Sequence, residues 1–313
     1  MIKEISFKSG GVDCTADLYK PSGLARSERR PGLVIGHGFS LNKSFLTQQA
    51  TAFCEAGFIV LAIDYRTFGK AGGKPRGQLF PLNEAEDFRN GISYLQSRRN
   101  VDPKRIGIWG ASFAGAVVSY VGAIDRRAKA VCAMVPVTDG YTWMKLLRSE
   151  VNFDELLAAV EADRAKRFAG GRGDRIPVLG PQGSLCGMPS DAGIMEFFEG
   201  VPEAFPTWKD SITLESIEKI IEFSPLSFVH RITPRPYLII STSGRDIVHP
   251  AWSVAELFEC AREPKRLEFL PFDQTGLYSE PGLTQSNKLA IDFFTEELGP
   301  VGEEGRYRPR ITG

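Results

Sequence analysis

The sequence predicts an α/β fold in which a mostly parallel, eight-stranded sheet carries helices on both faces. Short runs of apolar residues, such as 32–35 and 58–63, are typical of strands buried on both faces of a parallel sheet. Between such runs apolar residues recur at helical spacing, so strand and helix alternate along the chain. A third apolar run, 106–109, changes into small residues around Ser112 and continues as a helical stretch. These observations favour βα units joined by right-handed crossovers.

The overall composition restricts the class of protein. The chain has 313 residues, enough for one large α/β domain or two ordinary ones. Its 38 Lys and Arg residues balance 38 Asp and Glu residues, so bulk charge predicts neither a nucleic-acid partner nor an anionic membrane. Residues 1–8 lack the apolar core of a signal peptide and no run is long enough to cross a bilayer, which predicts a cytoplasmic protein without a membrane partner. The five cysteines show no C-x-x-C spacing and are expected to be reduced thiols.

The first part of the core is expected to span residues 1–138. It begins with alternating apolar and polar residues at 2–7 and 13–20, the pattern of an antiparallel hairpin. A helix that starts near residue 43 is closed by Gly57, which is a common helix-ending residue. The further predicted elements are strands at 32–35, 58–63, 106–109 and 128–135, and helices at 43–56, 82–95 and 113–123.

The alternation of strand and helix stops at residues 139–224. This segment holds helical patches, a glycine-rich stretch and several prolines, and it is too long for a structureless loop inside a compact domain. We expect it to be an inserted, mostly helical cap over the carboxyl edge of the sheet. The core resumes over residues 225–300, with strands at 236–240 and 267–270, and residues 301–313 form a polar C-terminal tail.

Ser112 is the candidate nucleophile. Gly110, Ser112 and Ala114 fit the pattern G-x-S-x-G with alanine in place of the last glycine. A strand that turns sharply into a helix needs small residues around the serine, because the serine adopts a strained conformation that points its hydroxyl outward. The alternative is a small-residue turn that carries an ordinary serine. The strand before Ser112 and the helix after it favour a nucleophile elbow.

Two further groups are expected near this serine. A serine hydroxyl becomes a good nucleophile only when an oriented base removes its proton, and in a parallel sheet such groups lie at the carboxyl ends of strands. Asp246 follows the predicted strand that ends near residue 241 and is the candidate acid; Asp139 is the alternative. The backbone N–H groups of Phe39 and Phe113 are the candidate oxyanion hole, since both follow strands and Phe113 starts a helix.

The base is the group that the sequence does not supply at the expected place. The loop after the last predicted strand, 271–278, contains no histidine, and the chain has only three: His37, His230 and His249. We interpret His37 as a turn residue and His230 as a surface or capping residue. His249 lies three residues after Asp246 in the same loop and is the less favoured candidate for an unusual base.

Because it contains these residues in this order, the chain resembles the α/β-hydrolase family, in particular its dienelactone-hydrolase-like and X-Pro-peptidase-like serine esterases. The resemblance implies an α/β-hydrolase fold and a catalytic histidine a few residues before a Leu-Tyr pair. Matching that pair to Leu277 and Tyr278 places Gln274 in the position of the histidine. The motifs that carry the resemblance are His37-Gly-Phe, Asp64-Tyr-Arg-x-Phe-Gly, Pro75-Arg-Gly with Glu86-Asp87, Gly110-x-Ser-x-Ala, and Gly244-x-Asp-x-Val-x-Pro250.

A glutamine at this position changes the expected chemistry. The amide of Gln274 can copy the hydrogen bonds of a neutral imidazole, but it cannot take up a proton. Loss of the base in a triad enzyme lowers turnover by about 10⁴- to 10⁶-fold, so the sequence predicts an impaired catalyst. Three explanations stay open: an engineered variant that traps its substrate, a natural protein that has lost hydrolysis, or recruitment of another base.

The favoured function is a serine hydrolase that acts on an ester, lactone, thioester or activated amide of a small hydrophobic molecule through an acyl-enzyme at Ser112. The alternatives are a non-hydrolytic ligand-binding protein that uses the same pocket, and a lyase or isomerase. The sequence has no metal-ligand cluster and no nucleotide-binding fingerprint, so no cofactor or metal is expected. A small-molecule substrate is the expected partner, and the resemblance also implies a homodimer.

Overall fold

The computed structural model describes residues 1–25 and 27–299, so the predicted tail, 301–313, lies outside the described residues. The strands are β1 Ile2–Ser9, β2 Val12–Tyr19, β3 Arg30–Gly36, β4 Ile59–Ile63, β5 Val101–Ala111, β6 Ala130–Met134, β7 Arg175–Pro177, β8 Leu179–Pro181, β9 Met188–Ser190, β10 Ser211–Thr213, β11 Tyr237–Thr242 and β12 Lys265–Leu270. The helices are α1 Thr47–Glu55, α2 Pro81–Gln96, α3 Phe113–Ile124, α4 Gly140–Leu146, α5 Glu150–Phe168, α6 Ala192–Phe197, α7 Val201–Ala204, α8 Leu214–Ile221, α9 Ala251–Cys260 and α10 Gly282–Leu298.

Within the described ranges, eight strands form one sheet in the order β1-β2-β4-β3-β5-β6-β11-β12. The strands from β4 to β12 in this order pair in parallel, whereas β2 is antiparallel to both of its neighbours. Every residue of β4, β6 and β11 is buried, because helices cover both faces of the sheet. The predicted mostly parallel, eight-stranded sheet with helices on both faces is therefore confirmed.

The two faces of the sheet carry separate apolar layers. One layer packs under α2 and α3 and continues into the segment 139–224, with Phe88, Ile92 and Val117 among its fully buried members. The other layer lies under α1 and α10, where Phe53 and Phe294 pack edge to face with ring centroids 6.3 Å apart. Because both faces are covered, the loops at the carboxyl edge of the sheet are held by rigid elements.

The segment 139–224 lies between β6 and β11 and contains α4 to α8. It also contains two small two-stranded sheets that the sequence did not predict, one from β7 and β10 and the other from β8 and β9. Each of these four strands has only three residues, too few to show an alternating pattern, and three of them contain proline. No helix in the described part of the chain is long and apolar enough to cross a bilayer.

Candidate active site

Loops that follow three parallel strands meet at the carboxyl edge of the sheet. Ser112 directly follows β5, the central strand of the three, and is the residue before α3. Its neighbour β3 leads into the loop that contains Phe39, and β11, two positions away in the sheet, leads into residues 243–250. Residues that are far apart in sequence thus reach the same edge, as expected for a parallel sheet.

Ser112 has the backbone conformation of a nucleophile elbow. Its φ of 56° and ψ of −119° are unusual for a residue other than glycine. A Cβ atom at Gly110 would lie 2.4 Å from the carbonyl oxygen of Ala114, so the turn leaves no room for a side chain there. The Ser112 N–H donates to the Met134 carbonyl at 2.9 Å, which ties the elbow to β6. The surrounding sheet therefore holds Ser112 in its strained conformation.

Ser112 is hydrogen-bonded to His249. Its Oγ lies 2.8 Å from His249 Nε2, and His249 Nδ1 lies 3.0 Å from Asp246 Oδ2. The side chains of His249 and Asp246 are almost completely buried. When Nδ1–H donates to the carboxylate, Nε2 is left free to accept the hydroxyl proton of Ser112. The structure thus brings a hydroxyl, an imidazole and a carboxylate together in one hydrogen-bonded row, which is the arrangement that a nucleophile, a base and an orienting acid require.

This arrangement corrects the expectation for Gln274. The hydrogen bonds to Ser112 and Asp246 that the sequence analysis assigned to Gln274 are made by His249. Gln274 is half-buried and lines the same cavity, and its backbone N–H donates to the Arg245 carbonyl at 3.1 Å. The position of the histidine in the family favoured Gln274, whereas the structure places the imidazole of His249 beside Ser112.

A local turn explains why His249 reaches the acid. Asp246 Oδ1 accepts hydrogen bonds from the backbone N–H groups of Val248 and His249, at 2.9 and 2.7 Å. This aspartate turn folds the loop back, so that the imidazole returns to the other carboxylate oxygen. The spacing of three residues between Asp246 and His249 was the signal available in the sequence.

The environment of Asp246 keeps it ionised. Burial by itself raises the pKa of this carboxyl, but the attraction of His249 and the hydrogen bonds from His249 and Val248 outweigh burial and lower the pKa below its ordinary value. An ionised carboxylate fixes the orientation of the imidazole and stabilises it once it is protonated. Asp246 therefore has the charge state that an orienting acid needs.

The two residues proposed for the oxyanion hole flank Ser112. A Cβ atom built on Gly38 would lie 3.5 Å from Ser112 Cβ, so the loop after β3 passes directly beside the serine. Phe39 follows in that loop and Phe113 opens α3, and their rings pack edge to face with centroids 6.1 Å apart. Both side chains are buried.

The remaining sequence candidates lie outside this hydrogen-bonded row. His37 is buried against Tyr65, with ring centroids 4.3 Å apart, and burial lowers the pKa of its imidazole to about 3, so it is neutral. His230 lies in a short 3₁₀ turn before β11. The carboxylate of Asp139 accepts the Thr142 N–H at 2.8 Å and caps α4.

Among residues 1–25 and 27–299 no group of three His, Cys, Asp or Glu residues is arranged to hold a metal ion.

A cavity of about 490 Å³ opens onto Ser112 and His249. Its wall is mostly apolar, and the segment 139–224 supplies a large part of it. Phe45, from the core, stacks on Phe205, from that segment, with ring centroids 4.0 Å apart. The apolar side chains that the segment contributes are Met188, Ile194, Phe197, Phe198, Val201 and Phe205.

Comparison with known proteins agrees with this fold. Residues 43–164 match the model of the prolyl oligopeptidase family. The chain is 27% identical to thiohydrolase aneE of Aspergillus aculeatus over 76% of each protein. It is also 27% identical to polyketide transferase ATR5 of Stachybotrys chlorohalonatus, over 88% of this chain and 89% of that protein. The crystal structure of the α/β hydrolase GrgF from Penicillium sp. sh18 has the same fold, with a TM-score of 0.80, 22% identity, and coverage of 95% of this chain and 99% of that one. The chain therefore has the α/β-hydrolase fold and is similar in sequence to proteins named as a thiohydrolase and a polyketide transferase.

Proposed function

We propose that this protein is a serine acyl hydrolase that cleaves an ester or thioester of a small apolar acyl group through an acyl-enzyme at Ser112. The observation that carries the proposal is the row of contacts from Ser112 Oγ to His249 Nε2, 2.8 Å, and from His249 Nδ1 to Asp246 Oδ2, 3.0 Å. These distances are those of an activated nucleophile with an oriented base. Because His249 can take up a proton, the impairment expected from Gln274 does not follow.

In the acylation step, Ser112 Oγ attacks the carbonyl carbon while its proton passes to His249 Nε2. The carbonyl oxygen becomes an oxyanion, which accepts hydrogen bonds from the backbone N–H groups of Phe39 and Phe113. The positive end of α3 adds to this stabilisation. The bond to the leaving oxygen or sulfur then breaks, and His249 returns the proton to that atom. The product is an acyl ester on Ser112 and a free alcohol or thiol.

In the deacylation step, water takes the place of the leaving group. His249 removes a proton from the water as its oxygen attacks the acyl carbon, and a second oxyanion forms in the same position. Its collapse breaks the bond to Ser112 Oγ, which recovers a proton from His249. The carboxylic acid leaves and the free enzyme is regenerated. Asp246 stays ionised and keeps the imidazole oriented in both steps.

The size and polarity of the cavity indicate which kind of acyl group the enzyme accepts. Its volume of about 490 Å³ and its aromatic and aliphatic wall suit an apolar acyl chain or ring, because burying apolar surface there is favourable. The segment 139–224 acts in this proposal as the cap, since it supplies the apolar wall opposite the sheet. The relatives named as a thiohydrolase and a polyketide transferase support an acyl substrate carried as an ester or thioester.

Active-site labelling tests the proposal. A fluorophosphonate probe is expected to label the wild-type protein at Ser112 and to leave the Ser112→Ala variant unlabelled. Hydrolysis of p-nitrophenyl octanoate is expected to fall by at least about 10³-fold in Ser112→Ala, since the nucleophile is lost. A folded wild-type protein that is neither labelled nor active on such esters would overturn the proposal.

Acyl transfer is the second candidate function. It is favoured by one observation, the similarity over most of its length to a protein named as a polyketide transferase. In transfer an alcohol or thiol takes the place of water in the second step, and the other steps are unchanged. Product analysis with an added acceptor separates the two functions: a new ester or thioester indicates transfer, and free acid alone indicates hydrolysis.

A further inference from the structure

A second cavity of about 330 Å³ lies beside the first one. The two cavities share Ile194, Gln274 and Thr275 in their walls, so Gln274 stands at the boundary between them. The first cavity is apolar, whereas the second carries charged side chains from three segments of the chain. The side chains that line only the second cavity are Asp191, Ala192, Gly193, Arg245, Ile247 and Asp273.

The second cavity is built from the loop that carries the base. Arg245 and Ile247 belong to the same loop as Asp246 and His249, and that loop is fastened to the loop after β12. The Gln274 N–H donates to the Arg245 carbonyl at 3.1 Å, and the Gly244 N–H donates to the Phe272 carbonyl at 3.0 Å. The part of the wall that these two loops supply is therefore fixed relative to His249 by backbone hydrogen bonds.

The charged side chains in this cavity have donor or acceptor atoms that can still bind a ligand. The Arg245 side chain is 78% exposed and reaches Asp191 only at 3.7 Å, which is too long for a strong hydrogen bond. One oxygen of Asp191 caps α6 by accepting the Ile194 N–H, and one oxygen of Asp273 accepts the Gly276 N–H. Each of these carboxylates has a second oxygen that can accept a hydrogen bond from a ligand.

The chemistry of acyl transfer assigns a place to each half of the substrate. The acyl group stays attached to Ser112 and needs the apolar cavity. The leaving atom must lie next to His249 Nε2, because it takes its proton from there. The rest of the leaving group must extend away from Ser112, and the second cavity borders the first at Gln274 and is lined by the loop of His249.

We propose that the second cavity holds the leaving group of the acyl substrate, and that this group is an uncharged polar chain with amide or hydroxyl groups. Donors from Arg245 and Gln274 and acceptors from Asp191 and Asp273 together match a group that both donates and accepts hydrogen bonds. The cavity contains one cationic side chain and two carboxylates, so a strongly anionic leaving group would be repelled from it. The inference rests on the proposed acyl-enzyme at Ser112, and if the acyl group is passed to an alcohol or thiol instead of water, the same cavity holds that acceptor.

Two thioesters with the same acyl group test this inference. S-octanoyl-N-acetylcysteamine releases a thiol with an amide, and S-octanoyl pentanethiol releases a thiol of similar length without one. The wild-type protein is expected to prefer the amide-bearing thioester in kcat/KM. In Arg245→Ala and Gln274→Leu that preference is expected to shrink by about 5- to 20-fold, since hydrogen bonds to the leaving group are lost. The Lys288→Ala variant is the matched control, because Lys288 is similarly exposed, at 72%, on α10.

The rate of deacylation separates this role from a general loss of structure. Both thioesters give the same octanoyl-enzyme, so within each variant the slow phase after the burst is expected to have the same rate with either thioester, whereas the rate of the burst is expected to differ between them. If Ser112 is labelled and both thioesters are turned over, but the preference is the same in wild-type protein and both variants, the leaving-group site is wrong. If the folded protein is not labelled and turns over neither thioester, the proposed function fails and this inference fails with it.

Discussion

The imidazole of His249 lies 2.8 Å from the hydroxyl of Ser112, although 137 residues separate the two along the chain. His249 shares its loop with Asp246, so a local aspartate turn sets the geometry of base and acid. The distance to Ser112, by contrast, depends on the sheet, because β6 separates β5 from β11. The candidate site therefore combines one local constraint with one tertiary constraint.

The first prediction distinguishes His249 from Gln274 as the base. His249→Gln is expected to lower kcat/KM for an octanoyl ester by about 10⁴-fold, because glutamine cannot accept the proton. Gln274→Ala is expected to keep kcat/KM within about tenfold of the wild-type value on an ester whose leaving group lacks polar groups. The reason is that the Gln274 side chain does not transfer a proton. The measurement is steady-state hydrolysis with folding checked by circular dichroism. Nearly full activity in His249→Gln would contradict the assignment.

The second prediction concerns the strain at Ser112. Its φ of 56° penalises any side chain with a Cβ atom, whereas glycine adopts such an angle freely. Ser112→Gly and Ser112→Ala both remove the hydroxyl, so the difference between them isolates the cost of the Cβ atom. Ser112→Gly is expected to be more stable than Ser112→Ala by about 1 kcal/mol in urea unfolding, and both are expected to be inactive. Glycine loses more chain entropy on folding than alanine, so a Ser112→Ala variant that is more stable than Ser112→Gly by this entropy difference would show that the elbow stores no such strain.

The third prediction concerns a contact between the segment 139–224 and the loop after β3. Trp208 Nε1 donates to the Ser40 carbonyl at 2.9 Å, one residue after Phe39, and Ser40 has a φ of 56°. Trp208→Phe removes the donor and keeps an aromatic ring, so the loop loses one support. We expect kcat to fall about three- to tenfold with little change in KM, as for a small displacement of an oxyanion donor.

Trp252→Phe is the matched control for Trp208. Trp252 is 56% exposed on α9, and it lines neither of the two cavities. Its replacement is expected to leave both kcat and KM unchanged. A rise in KM alone for Trp208→Phe would instead indicate that Trp208 acts on substrate binding.

The fourth prediction concerns the buried carboxyl of Glu84. Glu84 lies in the first turn of α2, its Oε2 has no hydrogen-bond partner among the described residues, and burial raises its pKa well above 4.5. In the unfolded chain Glu84 ionises near its ordinary value, so above that pH the folded state binds one more proton. Folding therefore loses stability as the pH rises through this window, by about 1.4 kcal/mol per pH unit at most.

Replacement of Glu84 tests this pH dependence. Glu84→Gln keeps the shape and removes the ionisation, so its free energy of unfolding is expected to exceed that of the wild type increasingly from pH 5 to pH 8. Glu55→Gln, at an exposed position on α1, is the control and is expected to leave the pH dependence unchanged. Parallel pH curves for Glu84→Gln and the wild type would contradict the prediction.

The sequence by itself determined the sheet and the elbow. Short continuous apolar runs such as β4, set between stretches of helical spacing, are typical of strands buried on both faces, and the small residues around Ser112 suit a sharp strand-to-helix turn. It did not determine the short strands β7 to β10, because three residues carry no readable period.

The tertiary structure decided which residue contacts Ser112. Both His249 and Gln274 follow late strands of the sheet, and both line the cavity at the serine. Their order along the chain does not tell which of the two contacts Ser112, since only the fold of residues 243–250 places the imidazole beside the hydroxyl. A hydrogen bond requires placement within a few tenths of an ångström, and that precision comes from packing and backbone turns rather than from the spacing of residue types.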